Sequence, residues 1–238
     1  DTASYKQAVD ELSALNIVNG YEDGTFQPDK NVTRAEITKM IVTALGDTVL
    51  NSAETSAGQD TQFTDVPGTH WASGYIAVGT SSQAGNFING YSATEFGPED
   101  NVTFAQAMKM LVGALGYTYY SEQNGGWPNG YLNYGYRLGI SDGVTGVGND
   151  QQVSRAQVAQ MIYNALKAPI CIVTQWTENI LGQSTPELLV KDGTGDSTGK
   201  DGYQNLLNYA HDAYLVYGRV QGTHKSDSSI DSDQVSFS

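Results

Sequence analysis

The sequence predicts a mainly α-helical fold in which three helical hairpins pack against one another, followed by a small β-containing segment. Two observations support this prediction: a long part of the chain repeats itself, and each copy carries apolar residues at helical spacing. With 238 residues, of which 39% are hydrophobic, the chain is long enough to bury a sizeable core.

The internal repeat is the strongest signal in the sequence. Residues 16–46 align with residues 86–116 without a gap at a shift of 70, and 16 of the 31 positions are identical. A more diverged third copy spans residues 138–167, where SRAQ at 154–157 matches TRAE at 33–36. Its loop is two residues shorter. Self-similarity of this kind is typical of a repeat architecture.

Each copy is predicted to contain two helices joined by a turn and a loop. The first helices are expected at residues 4–15, 71–83 and 128–138. The second helices begin at Thr33, Thr103 and Ser154, and each of these residues is followed three positions later by Glu or Gln, as in a capping box. Because so small a hairpin cannot bury its apolar stripe alone, we expect the three copies to pack together.

The repeats define the predicted domain boundaries. Repeat 1 covers residues 1–46, repeat 2 residues 63–116 and repeat 3 residues 117–168. Residues 47–62 lack periodicity and are rich in small and polar residues, so they are predicted to form an irregular surface linker. Residues 169–238 are expected to form a β-containing appendage or the start of a further domain, with the following elements: strands at 170–176, 213–222 and 234–237, a short strand or a turn at 185–190, a polar loop at 191–202 and a helix at 203–212.

Composition excludes several classes of partner. A net charge of −14 and a pI near 4.3 argue against binding to nucleic acid and against docking on an anionic membrane surface. The longest apolar stretches are far too short for membrane insertion. Cys171 is the single cysteine, so no intramolecular disulfide can form.

The sequence predicts neither an enzyme nor a bound cofactor. Three scattered histidines, one cysteine and no GxSxG, HExxH or P-loop motif leave no recognisable catalytic set. Two groups of aspartates invite a calcium interpretation, but their spacing does not match a calcium loop, and solvated loops are expected instead. These groups are Asp192, Asp196 and Asp201, and Asp227, Asp231 and Asp233.

Three motifs resemble the S-layer homology family. They are FTDVPGTHWA at residues 63–72, NGYEDGTFQP at 19–28 and TRAE at 33–36, and the resemblance covers residues 4–168. It implies a pseudo-threefold helical spindle with binding grooves between neighbouring repeats. It also implies an extracellular protein, held in the bacterial cell wall by secondary cell-wall polysaccharide or peptidoglycan. In the family, such polysaccharide often bears a ketal-linked pyruvate.

Two arginines are the main candidates for contact with such a ligand. Arg34 and Arg155 follow Thr33 and Ser154 in the first helical turn, where a cation opposes the helix macrodipole. Free backbone N–H groups at these helix starts, together with the guanidinium groups, would form a carboxylate receptor. Alternatively, each arginine pairs with an acid of the neighbouring repeat and only braces the fold. The residues alone leave both readings open, and the resemblance favours ligand contact.

Aromatic and acidic residues complete the candidate site. Trp71 and Trp127 begin first helices and are suited either to core packing or to stacking on a sugar ring. Tyr21 is similar, and Asp23 is a candidate acceptor for sugar hydroxyl groups. In the second copy Phe104 replaces the arginine, so the groove built on it is predicted to be weak or to have become a packing surface.

An alternative function is a self-assembling structural subunit of a surface layer or filament. In that case the repeats mainly make protein–protein contacts, and the C-terminal appendage supplies exposed edge strands for homo-assembly. The sequence alone does not decide between anchoring and assembly.

Overall fold

The computed structural model describes residues 5–21, 23–81, 86–178, 184–190, 205–211, 220–223 and 235–237. Over these residues the fold is mainly α, as predicted, with nine helices and four strands. The helices are α1 (Lys6–Ala14), α2 (Arg34–Ala44), α3 (Asp47–Ser56), α4 (Ser73–Gly79), α5 (Phe104–Ala114), α6 (Thr118–Gln123), α7 (Asn129–Arg137), α8 (Arg155–Lys167) and α9 (Leu206–His211). The strands are β1 (Cys171–Glu178), β2 (Ser184–Val190), β3 (Val220–Thr223) and β4 (Val235–Phe237).

The three repeats are joined at their centre by a closed ring of backbone hydrogen bonds. The Val32 amide donates to the Val153 carbonyl (3.1 Å), the Val153 amide to Val102 (3.0 Å), and the Val102 amide to Val32 (3.0 Å). All three valines are fully buried. A cyclic arrangement of equivalent positions defines a pseudo-threefold axis, so the spindle that the family resemblance implies is present.

The helices pair between repeats rather than within them. Helix α4 of repeat 2 packs on α2 of repeat 1, α7 of repeat 3 packs on α5 of repeat 2, and α1 of repeat 1 packs on α8 of repeat 3. The prediction that the three copies pack against one another is therefore confirmed, and the helices lie where expected. The apolar stripe of each repeat is covered by a helix of a neighbouring repeat. The stripe is therefore buried in the assembled ring, although a single repeat could not bury it alone.

The predicted irregular linker at residues 47–62 is largely helical. Helix α3 fills most of it and packs on α4, where a Cβ added to Gly74 would lie 2.0 Å from the Ala53 carbonyl oxygen. The same arrangement recurs in repeat 3, where α6 packs on α7 and Gly130 lies against the Ser121 carbonyl. Helices α3 and α6 are thus each positioned by a close backbone contact at a glycine of the following helix. Such a contact leaves no periodic pattern in the sequence.

The C-terminal segment begins directly on the spindle. Strands β1 and β2 form an antiparallel pair with Cys171 opposite Val190, and β3 pairs with β4 in the same sense. The Cys171 amide donates to the Leu115 carbonyl (2.8 Å), and α9 buries Leu206 and Leu207. The predicted strand at 170–176 is confirmed as β1, and residues 185–190, for which a strand and a turn were both considered, lie in β2.

The remaining C-terminal predictions are covered only in part. Helix α9 lies within the predicted 203–212, β3 overlaps the end of 213–222, and β4 matches 234–237. The polar loop at 191–202 and both aspartate groups considered for calcium lie outside the described residues.

Candidate functional site

Two open grooves between neighbouring repeats are lined by equivalent residues. Groove A has a volume of about 780 Å³ and is lined by Ile17, Val18, Asn19, Gly20, Tyr21, Asp23, Lys30, Thr33, Glu36, Lys39, Met40, Trp71, Glu99 and Arg155. Groove B has a volume of about 250 Å³ and is lined by Arg34, Phe87, Ile88, Asn89, Gly90, Tyr91, Gln106, Lys109, Met110 and Trp127. Because each groove draws on more than one repeat, both exist only in the assembled spindle.

Arg34 and Arg155 clasp the loop of the neighbouring repeat. The Nε of Arg34 donates to the Phe96 carbonyl (2.9 Å) and its Nη2 to the Asn89 carbonyl (2.7 Å). The Nε of Arg155 donates to the Phe26 carbonyl (2.9 Å), and its Nη2 to the carbonyl of Asn19 (3.1 Å). The side chains are therefore braced by backbone carbonyls, not by an acid as the bracing alternative supposed.

Aromatic rings flank both guanidinium groups. The Cζ of Arg34 lies 4.4 Å from the centroid of the Tyr91 ring, and that of Arg155 lies 4.5 Å from the centroid of the Tyr21 ring. The two arginines are 5% and 6% exposed. Burial lowers the pKa of Arg34, but an arginine in a protein keeps its charge, so two cations are fixed beside the grooves.

The arginines are thus buried, yet they line the grooves. Among the described residues Nη1 of either guanidinium makes no hydrogen bond. The geometry supports bracing directly and leaves ligand contact as a prediction.

The backbone amides at the helix starts are not free, which corrects one part of the predicted receptor. In α2 the amide of Arg34 donates to the Asp100 carbonyl (2.9 Å) and that of Ala35 to the Pro98 carbonyl (2.9 Å). The third amide is taken by the Thr33 hydroxyl in the capping box. Helices α5 and α8 repeat this pattern with the loops of repeats 3 and 1. These amides join repeats and cannot bind an anion.

The two tryptophans are surface residues. Trp71 is 52% exposed in groove A, where its ring stacks on His70 at 5.8 Å, and Trp127 is 49% exposed in groove B. Core packing, one of the two alternatives, is therefore not their role. A half-exposed indole in a groove presents a flat apolar face to solvent.

Two lysines that were not among the predicted site residues also lie in the grooves. Lys39 lines groove A and Lys109 lines groove B, and the Nζ of Lys109 lies 5.6 Å from the centroid of the Trp127 ring. Neither lysine makes an ion pair within 4.0 Å in the described part of the chain. The sequence does contain a signal for them. The same lysine occurs in both copies at a shift of 70, and in each copy it lies on the polar side of an otherwise apolar helix.

Of the other predicted site residues, some line groove A and one only caps a helix. Tyr21, Thr33 and Asp23 all line groove A. Asp23 mainly holds its own turn, because its carboxylate accepts from the amide and hydroxyl of Thr25, which lowers its pKa. Ser154 caps α8 and does not line either groove.

The third interface contains Phe104 where the others contain arginine. Phe104 is buried, and its ring lies 6.5 Å from that of Tyr136. Apolar packing therefore replaces the guanidinium clasp at this position, in line with the packing surface that the substitution predicts.

Comparison with known proteins agrees with this architecture. The family model of the S-layer homology domain matches residues 1–38 and 62–108. The chain is 34% identical over 188 residues to a surface layer protein of Brevibacillus choshinensis and 30% identical over 188 residues to the middle cell wall protein of Brevibacillus brevis. It is 33% identical over 104 residues to a cellulosome-anchoring protein of Acetivibrio thermocellus.

The alignments cover much of this chain and little of its relatives. They span 79% of the chain in the first two comparisons and 44% in the third, but only 16%, 17% and 22% of the relatives. Within the described ranges, every helix is too short or too polar to cross a membrane. Those ranges also hold no cluster of three or more potential metal ligands.

Proposed function

Because the chain belongs to the S-layer homology family, we propose that it anchors a bacterial surface protein non-covalently to the cell wall by binding an acidic polysaccharide in grooves A and B. The observation that carries the proposal is the shared lining of the two grooves. Each combines a buried arginine, a half-exposed tryptophan and a lysine that has no ion pair among the described residues.

This combination suits an anionic sugar better than a neutral or an apolar ligand. The indole faces can stack on the apolar C–H surface of a pyranose ring, and the lysine ammonium groups can bind a carboxylate. The arginines hold the Asn-Gly-Tyr loops at residues 19–21 and 89–91 in place, so the walls are pre-organised and little ordering is needed on binding. A ketal-linked pyruvate on the wall polysaccharide would supply the carboxylate.

The proposal is consistent with the names of the relatives, which describe surface-layer, cell-wall and anchoring proteins. It places the chain at the cell surface and gives it a binding role without catalysis.

The test is co-sedimentation of the purified chain with cell-wall sacculi. We expect the chain to pellet with intact sacculi and to stay in the supernatant once the secondary polysaccharide has been extracted. The double variant Trp71→Ala/Trp127→Ala should lose most of the pelleting, while Tyr209→Ala, which removes an exposed aromatic outside both grooves, should not. Unchanged pelleting on extracted sacculi would contradict the proposal.

Self-assembly is a second candidate function, favoured by one observation. On the β1–β2 hairpin, Val173 and Leu189 are large apolar side chains that are nearly half exposed. Sedimentation velocity over a range of concentrations separates the two functions. A monomer that binds sacculi supports anchoring, whereas ordered oligomers that dissociate in the double variant Val173→Ser/Leu189→Ser support assembly.

A further inference from the structure

Asn-Gly pairs occur four times in the chain, and their surroundings differ. The pairs begin at Asn19, Asn89, Asn124 and Asn129. An asparagine followed by glycine is chemically labile, because the next backbone nitrogen can attack the side-chain amide when no β-carbon shields it. The reaction needs an accessible asparagine and a glycine N–H group that is not held in a hydrogen bond. The structure therefore ranks the four pairs by reactivity.

The first two pairs meet both requirements. Asn19 and Asn89 are exposed and line grooves A and B, respectively. Within the described ranges, the amides of Gly20 and Gly90 donate no hydrogen bond. A Cβ added to Gly90 would lie 2.7 Å from the backbone carbonyl oxygen of Glu95. A side chain at position 90, which would slow the reaction, therefore does not fit.

The other two pairs are restrained. Asn129 begins α7, and the Gly130 amide donates to the Gly126 carbonyl (2.7 Å). The attacking nitrogen is thus held in a hydrogen bond, and reaction there requires local unfolding of the helix start. Asn124 is exposed, but its side-chain nitrogen donates to the Tyr120 carbonyl (2.8 Å). The pair at Asn129 is therefore an internal control within the same molecule.

Arg34 and Arg155 are placed to promote the reaction at the two groove asparagines. Nη2 of Arg34 lies 2.7 Å from the carbonyl oxygen of Asn89, and Nη2 of Arg155 lies 3.1 Å from that of Asn19. Each carbonyl belongs to the same peptide unit as the glycine nitrogen that attacks. When this nitrogen loses its proton, amide resonance places negative charge on the carbonyl oxygen, where the guanidinium stabilises it.

Groove B adds a second activating contact, this time at the carbon that is attacked. With the Asn86 side-chain amide oriented so that its nitrogen faces acceptors, that nitrogen lies 3.0 Å from Oδ1 of Asn89. A hydrogen bond donated to Oδ1 draws electrons from Cγ of Asn89 and makes this carbon more electrophilic. Both reacting groups of the Asn89 pair are thus activated, so we expect this pair to react first.

We propose that Asn19 and Asn89 are sites of spontaneous deamidation that the neighbouring arginines promote. The glycine nitrogen forms a bond to Cγ of the asparagine while the bond between Cγ and Nδ2 breaks. The side-chain amide leaves as ammonia and carries away the proton that the glycine nitrogen lost. The resulting succinimide takes up one water molecule at either of its carbonyl groups and opens to aspartate or isoaspartate. Water is the co-reactant.

The fold accepts the two products differently. Repeat 3 already has an acid at the equivalent position, because Asp142-Gly143 matches the Asn-Gly pairs. The Asp142 carbonyl accepts from the Asn164 side chain (2.7 Å) and not from an arginine. Aspartate therefore fits this loop. Isoaspartate adds a methylene to the backbone and displaces the carbonyl that the arginine holds. Deamidation thus places a carboxylate in each groove and, as isoaspartate, removes a contact between repeats.

The first test follows deamidation site by site in the unmutated chain. The protein is incubated in neutral buffer well below its melting temperature, digested, and analysed by mass spectrometry with chromatographic separation of isoaspartate. We expect Asn89 to react fastest and Asn19 next. Asn129 should react at least about tenfold more slowly than Asn89, because its glycine amide must first lose a hydrogen bond. Equal rates at Asn129 and Asn89 would overturn the proposal.

Arginine variants separate promotion from exposure. Arg34→Met removes the cation, and Phe104 shows that the fold accepts an apolar side chain at this position. We expect deamidation of Asn89 to slow about threefold or more, while Asn19 in the same molecule keeps its rate. Arg155→Met should slow Asn19 alone. A loosened loop would have the opposite effect, so an unchanged or faster rate at Asn89 in Arg34→Met would overturn the role of the arginines.

The effect on wall binding is a separate measurement, and it rests on the proposed function, whereas deamidation itself does not. Deamidated chain, separated by ion exchange, should pellet less with sacculi than fresh chain, because both new carboxylates lie in groove linings. If both sites deamidate and pelleting stays the same, the modification stands and binding in the grooves is wrong. If neither site deamidates while pelleting depends on the polysaccharide, anchoring stands and this inference fails.

Discussion

At the scale of single residues, Arg34 and Arg155 each donate two hydrogen bonds to backbone carbonyls in the loop of a neighbouring repeat. A cation in the first turn of a helix conflicts with the macrodipole, so Arg34 and Arg155 stood out as residues with a role beyond helix formation. Their partners could not be predicted, because carbonyls of a neighbouring repeat leave no signal in the sequence. The structure gives them a bracing role whatever they bind.

This role predicts a loss of stability. Arg34→Ala removes two hydrogen bonds from a charged donor and leaves the Asn89 and Phe96 carbonyls without it, so the free energy of unfolding should fall by about 2–4 kcal/mol. Chemical denaturation followed by circular dichroism measures the change. Arg137→Ala, at an exposed position on α7, is the control and should change it by less than about 0.5 kcal/mol. If the two variants have the same free energy of unfolding, the claim that Arg34 stabilises the neighbouring loop is wrong.

At the scale of elements, the second helices were predicted well because their signals are local. The capping pairs that begin at Thr33, Thr103 and Ser154 all form reciprocal boxes. Helix α3 was missed because a serine- and threonine-rich segment with two glycines nearby lacks a periodic stripe. It is held by contact with α4, which lies later in the sequence.

That contact predicts a sensitive glycine. Gly74→Ala would place a Cβ 2.0 Å from the Ala53 carbonyl oxygen, so α3 and α4 must separate, and stability should fall by about 1–3 kcal/mol. Gly148→Ala meets only ordinary contacts beyond 3.5 Å and serves as the control. Thermal melts of both proteins measure the effect. A melting temperature for Gly74→Ala equal to that of the control would show that the helices do not pack this closely.

At the scale of the whole molecule, the number of repeats was predictable and their pairing was not. Self-similarity fixes three copies, but it does not say whether a helix packs within its own copy or on the next one. The chain pairs them around the ring, with α1 closing against α8. The Gln7 side chain, which donates to the Tyr163 hydroxyl (3.1 Å), joins the two ends of the repeat region.

Ring closure predicts that a change in the first helix destabilises the whole spindle. Leu12 is fully buried in α1, and Leu12→Ala should cost about 2–5 kcal/mol in a single cooperative transition. Hydrogen exchange should rise in α8 as well as in α1, because the two helices share an interface. Exchange that increases in α1 alone would mean that the ring is not closed.

The C-terminal segment was predicted as an appendage or the start of a further domain, and the structure places its beginning on the spindle. Gly46 lies against the Ala210 carbonyl and Gly116 against that of Cys171, two equivalent positions in repeats 1 and 2.

The most direct measurement is the structure of the chain bound to a fragment of the wall polysaccharide. We predict that a sugar ring lies on Trp71 or Trp127, with its carboxylate beside the lysine of the same groove, Lys39 or Lys109. A fragment bound outside both grooves, for example on the β1–β2 hairpin, would contradict the account.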